Sequence, residues 1–148
     1  MNSWQKIVVL VYGAISLFVF IKSFYEVKNK NNSFGLTPIL SLLGIFVWGD
    51  GLILGIFWML ASVTTYIINS WYLFLLIISV FWVVRGLGET KYWLNQQYSK
   101  ILRNPPEKLL GYSIFKNDSI WFIYQIIWQC LTVVAIIFSI YFAFKWLK

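Results

Sequence analysis

Between Lys30 and Arg85 the chain carries one charged side chain, Asp50. A soluble domain cannot accommodate an uncharged stretch of that length, because its surface needs interspersed charge to stay dispersed. A helix needs roughly 20 apolar residues to cross about 30 Å of hydrocarbon. The stretch is therefore long enough for two crossings and must fold back once. Two further uncharged runs flank it, at residues 7–21 and 119–144. With 60% hydrophobic and 11% charged residues overall, the bilayer is the expected solvent and four crossings are expected.

The first span is expected at residues 4–25, with Lys22 snorkelling at its far end. A cleaved signal peptide is the alternative there. Against it, the apolar run is long, most nearby basic residues follow it, and no A-x-A pattern comes after. Asn31, Asn32, Ser33 and Gly35 predict a polar turn in the loop 26–35. Pro38 suits the first turn of a second span at 37–61. Thr64, Thr65 and Asn69 place the reversal within 62–70, and the third span follows at 70–90.

Helix formers continue past Arg85 until Asn104, Pro105 and Pro106 stop them. This tail pairs Lys91, Lys100 and Arg103 with Tyr92, Trp93, Tyr98 and Ile101, the composition of an interfacial amphipathic helix. Asn117, Asp118 and Ser119 are N-cap candidates for a fourth span at 119–146. The expected fold is all-α, a four-helix transmembrane bundle in one domain, 1–148, with an amphipathic cytosolic extension of the third helix.

The distribution of basic residues sets the expected orientation. Lys22, Lys28, Lys30, Arg85, Lys91, Lys100, Arg103, Lys108 and Lys116 fall on one side; Lys6, Lys145 and Lys148 fall on the other. Both termini should then face outward, with loops 26–35 and 91–118 cytosolic. The two sequons, at Asn31 and Asn117, would be cytosolic and unmodified. The basic residues border apolar runs and form no separate basic domain, so anionic lipid at the inner face is the expected counter-charge and nucleic acid is not.

The sequence has no histidine, which removes the commonest general base and metal ligand. Its one cysteine, Cys130, lies inside a span and reads as a small packing residue. No catalytic, metal or cofactor set emerges. Asp50 is the most informative residue, since an ionisable group inside a span marks either a functional site or a neutral carboxyl making a structural hydrogen bond. Gly44, Gly51 and Gly55 belong to a small-residue stripe of helix packing. Arg85 and Glu89 stand one turn apart and can pair. Gln125 and Gln129 lie on a polar stripe of the fourth span, where amides usually bond across helices.

Helical rise puts Arg85 and Gln125 about 10 Å deep, Gln129 about 16 Å and Asp50 about 18 Å. With Glu89 they make one possible polar cluster. Val47-Trp48-Gly49-Asp50 resembles only half of the GxGD signature of intramembrane aspartyl proteases, and no second membrane aspartate completes the dyad. In outline the chain is similar to small multidrug-resistance transporters, but their acidic residue sits in the first helix and this first helix has none at depth. The favoured reading is a structural or accessory membrane subunit, either as a homo-oligomer or with a partner membrane protein. A small transporter or channel using the Asp50 cluster is the alternative, and a membrane enzyme ranks last.

Overall fold

The computed structural model describes residues 1–100 and 103–148; Ile101, placed above in the amphipathic tail, lies outside the described residues. Four α-helices order the chain: α1 (Ser3–Lys30), α2 (Trp48–Ile68), α3 (Trp71–Tyr98) and α4 (Ser119–Leu147). All four are long and apolar enough to cross a membrane. Among the described residues there is no strand, only an isolated antiparallel bridge between Leu36 and Val47.

Local chemistry fixes the helix ends. The Asn2 side chain accepts from the Gln5 amide at 3.2 Å while the Gln5 side chain accepts from the Asn2 amide at 2.9 Å, a reciprocal box that starts α1. Asn31 and Asn69 close α1 and α2 in the left-handed conformation, at φ 52° and 58°, which a short amide side chain tolerates. The α2–α3 reversal is therefore confined to Asn69 and Ser70, and Ser70 Oγ accepts the Leu73 amide at 3.3 Å. Thr65, expected in the turn, lies within α2 and bonds back to Ala61 and Ser62 carbonyls.

The second helix departs most from expectation. Residues 37–61 do not form one helix, because α2 begins at Trp48 and the stretch before it is a 3₁₀ turn, Pro38–Leu43, followed by an extended return limb. Ser41 Oγ donates to the Pro38 carbonyl at 2.7 Å and Thr37 Oγ1 donates to the Ile45 carbonyl at 2.9 Å, both competing with helical pairing. Gly44 then reverses the chain at φ 72°. Gly44 is thus a turn residue, not the helix-packing residue that its spacing suggested.

The chain divides into two units, Met1–Ile77 with Phe142–Lys148, and Ile78–Tyr141. In the first unit α1 and α2 run antiparallel, with Gly13 against Ser62, Phe20 against Gly55 and Ser23 against Gly51. At Gly51 and Gly55 an added Cβ would meet Ser23 and Phe20 of α1. An edge-to-face contact of Tyr12 on Trp58, with centroids 5.4 Å apart, closes the pair, and Trp4 meets Trp71 at the start of α3 in the same way at 5.2 Å. In the second unit Gly86 faces Thr132, Trp82 stacks on Trp128 at 6.3 Å, and Trp93, Ile120 and Trp121 form a buried cluster.

Candidate functional site

Because α2 starts at Trp48, Asp50 occupies its first turn, and the depth obtained by counting a helix from residue 37 does not apply to it. Its Oδ2 accepts the Phe46 amide at 3.0 Å. A carboxylate at a helix N-terminus also meets the positive end of the helix dipole. Asp50 thereby ties the return limb, residues 45–47, to the start of α2. The same limb is held by the Thr37 amide on the Phe46 carbonyl at 2.9 Å and by Gly49 and Trp48 amides on the Ser33 and Gly35 carbonyls at 2.9 and 3.1 Å.

A second charged site, which sequence reasoning missed, closes α1. Glu26 lies just past residues 4–25 and is buried. Its carboxylate takes Lys30 Nζ at 2.9 Å, Lys22 Nζ at 3.1 Å and Asn32 Nδ2 at 3.2 Å. These hydrogen bonds, from Lys30 first, then Asn32 and Lys22, hold its pKa down at about 2. The Lys30 ammonium is correspondingly raised by its bond to Glu26. The i, i+4 spacing of 22, 26 and 30 was the available signal.

Of the other sequence candidates, Arg85 and Glu89 meet at 3.4 Å as a one-turn ion pair on α3. Gln125 Oε1 accepts Gln97 Nε2 at 2.7 Å, joining α4 to the end of α3. Around it, Gln96 Oε1 accepts the Asn104 amide at 3.2 Å, Trp121 Nε1 donates to the Asn104 carbonyl at 3.0 Å, and the Tyr124 hydroxyl donates to the Leu110 carbonyl at 3.2 Å. The aromatic residues of the amphipathic tail divide accordingly. Trp93 is buried in this cluster, whereas Tyr98 is exposed. Gln129 is exposed on α4 and its side-chain amide makes no hydrogen bond among the described residues.

Apart from the Arg85–Glu89 pair inside α3, each of these networks binds helix ends and connecting segments to one another. Asp50 belongs to the first unit; Arg85, Glu89, Gln125 and Gln129 belong to the second. The groove between α1 and α2 is lined by apolar side chains, among them Val9, Leu10, Met59 and Val63. Among the described residues no three acidic or thiol side chains converge as a metal site would require.

Four helices of crossing length and composition in 148 residues fit a small multi-pass membrane protein. Compared with known proteins, the chain matches no family model, no curated protein and no solved structure.

Proposed function

We propose that this protein is a structural or accessory membrane subunit that pairs with another transmembrane helix through α4. The observation that carries the reading is the exposed face of that helix. Phe122, Ile126, Gln129, Val133, Ile136 and Ile140 recur at alternating spacings of four and three, and every one is exposed. That is the repeat of a helix-pairing seam, rich in β-branched residues.

Gln129 stands ten residues into α4, about 15 Å along it and so near the middle of a hydrocarbon layer about 30 Å thick. Facing lipid, its amide has no hydrogen-bond partner. Facing another helix, it donates and accepts, as a single polar residue does when it fixes the register of a coiled coil. The packing toward α3 runs through Thr132, which meets Gly86, and the buried Thr132 and Ala135 lie on a different part of the helix circumference from the seam, which leaves the seam available.

With this role goes an orientation in which both termini face outward and loops 26–35 and 91–118 meet anionic headgroups at the inner face, at about 1 kcal/mol per basic residue near the surface. Cysteine scanning of α4 in native membranes, in a Cys130→Ser background, tests the pairing. Cysteines replacing Val133 and Ile136 should cross-link to a neighbouring chain and resist a lipid-soluble maleimide, whereas those replacing Leu131 and Phe138 should react freely. Uniform reactivity around the helix, with no cross-linked species, would remove the basis for a helix-pairing subunit.

A further inference from the structure

We infer that residues 36–47 form a re-entrant loop whose outer face contacts lipid acyl chains within the bilayer. The inference rests on the membrane reading of α2 and goes beyond it, because a connecting segment ordinarily lies in water. Its first support is depth. Helix α2 spans 21 residues, about 31 Å, so it fills the hydrocarbon layer from one end to the other. Trp58 lies ten residues past the start of that helix, about 15 Å along it.

Trp58 Nε1 donates to the Leu43 carbonyl at 2.9 Å. Covalent geometry keeps an indole nitrogen within about 6 Å of its own Cα. Even with both vectors pointing straight back toward Trp48, the Leu43 carbonyl lies at least about 6 Å inside the end of α2. The chain thus descends beside α2 from Leu36, turns at Gly44 and returns to Val47, where the bridge to Leu36 closes the loop.

The second support is the treatment of the backbone. Irregular chain is tolerated at membrane depth only when its polar groups are satisfied by protein. Pro38 has no amide to satisfy. Within the loop, Thr37 bonds the Phe46 and Ile45 carbonyls, Ile45 N donates to the Leu40 carbonyl at 3.2 Å, and Gly44 N donates to the Ser41 carbonyl at 2.9 Å. Asp50 accepts the Phe46 amide, and Trp58 takes the Leu43 carbonyl. These bonds include two side chains of α2 reaching out to a segment outside the helix.

The third support is the surface. Leu36, Ile39 and Leu42 are each 80% or more exposed, while Ile45 on the return limb is fully buried. No charged side chain lies between Lys30 and Asp50. Exposed leucine and isoleucine on a turn whose Thr37, Leu40, Gly44, Ile45 and Phe46 amides are bonded within the protein match hydrocarbon and mismatch water. The same reasoning assigns Asp50 and Trp58 as positioning residues for the loop.

Site-directed spin labelling tests this in the full chain, reconstituted in phosphatidylcholine and phosphatidylglycerol vesicles with Cys130→Ser. Nitroxides replace Ile39 or Leu42 in the loop, Ile53 on the exposed side of α2, and Asn32 in the polar turn. The labelled loop positions are so exposed that they leave packing untouched. Collisions with oxygen should dominate those with a water-soluble nickel chelate at positions 39 and 42, as at 53, while position 32 shows the reverse. Nickel accessibility at 39 and 42 like that at 32 would place the loop in water and overturn the inference. Protection from both reagents would also overturn it, because a protein surface and not lipid would then cover the loop. Nickel accessibility at position 53 would instead mark failure of the membrane reading itself.

Discussion

Replacing Gly55 by alanine tests whether backbone proximity holds α1 and α2 together. A Cβ at this position would meet the Phe20 backbone N and Cα at 3.0 Å and the Phe20 Cβ at 2.8 Å. Ordinary carbon contacts have their optimum at about 3.5–4.0 Å, so the helices must part by roughly half an ångström or more. A radial gap of about 0.5–1 Å forfeits a quarter to a half of each dispersion contact along the seam. Two of the three opposing atoms are backbone, which cannot rotate aside, and the added methyl should cost about 1–3 kcal/mol in overpacking. Alanine also improves helix propensity by about 1 kcal/mol, which masks part of that cost.

Gly88→Ala removes the ambiguity. Gly88 is likewise interior to a helix, but nothing lies within 4 Å of an added Cβ, so this variant carries the propensity gain alone. The difference between the two variants isolates the packing term and should be about 1–3 kcal/mol against Gly55→Ala. Titration of detergent micelles with sodium dodecyl sulfate, followed by far-ultraviolet circular dichroism, measures both. Equal midpoints for the two variants would refute the close-packing argument.

Three further outcomes are expected. Asp50→Asn should keep the fold, since an amide oxygen still accepts the Phe46 amide, whereas Asp50→Leu should destabilise by about 1–3 kcal/mol by orphaning it; the same detergent titration checks this, and equal loss in both variants would contradict the assignment. Because the folded pKa of Glu26 lies below its ordinary value of 4.5, its contribution is present above that value and is lost as pH falls toward about 2. Wild type should therefore lose its stability advantage over Glu26→Gln across that window, and an advantage unchanged between pH 7 and the acid limit would argue against the clamp. With Cys130 replaced, cysteines introduced at Asn2 and Asn32 should react with impermeant maleimide from opposite faces of the membrane, position 2 from outside; labelling of position 32 from outside would invert the orientation.

The number and class of elements followed from hydropathy alone, because lipid solvation acts on each residue independently and long uncharged runs admit few solutions besides helices. The start of α1 and the extent of α4 lie close to the ends of their uncharged runs, whereas α1 runs on through residues 26–30, read above as part of a loop, to its cap at Asn31, because Glu26 pairs there with Lys22 and Lys30 one turn away on either side. Hydropathy could not distinguish a helix from an apolar irregular loop. Residues 36–47 are as apolar as a span, yet Thr37, Ser41 and Gly44 turn the chain back, and the segment is held by Trp58 and Asp50, which lie beyond it in sequence. Asp50 was recognisable as exceptional from sequence, but its partner was not, because a hydrogen bond depends on where two segments meet in space. The seam on α4 divides in the same way. Its spacing is written in the sequence, while its availability depends on which side of α4 receives Gly86 of α3, and only packing in three dimensions decides that.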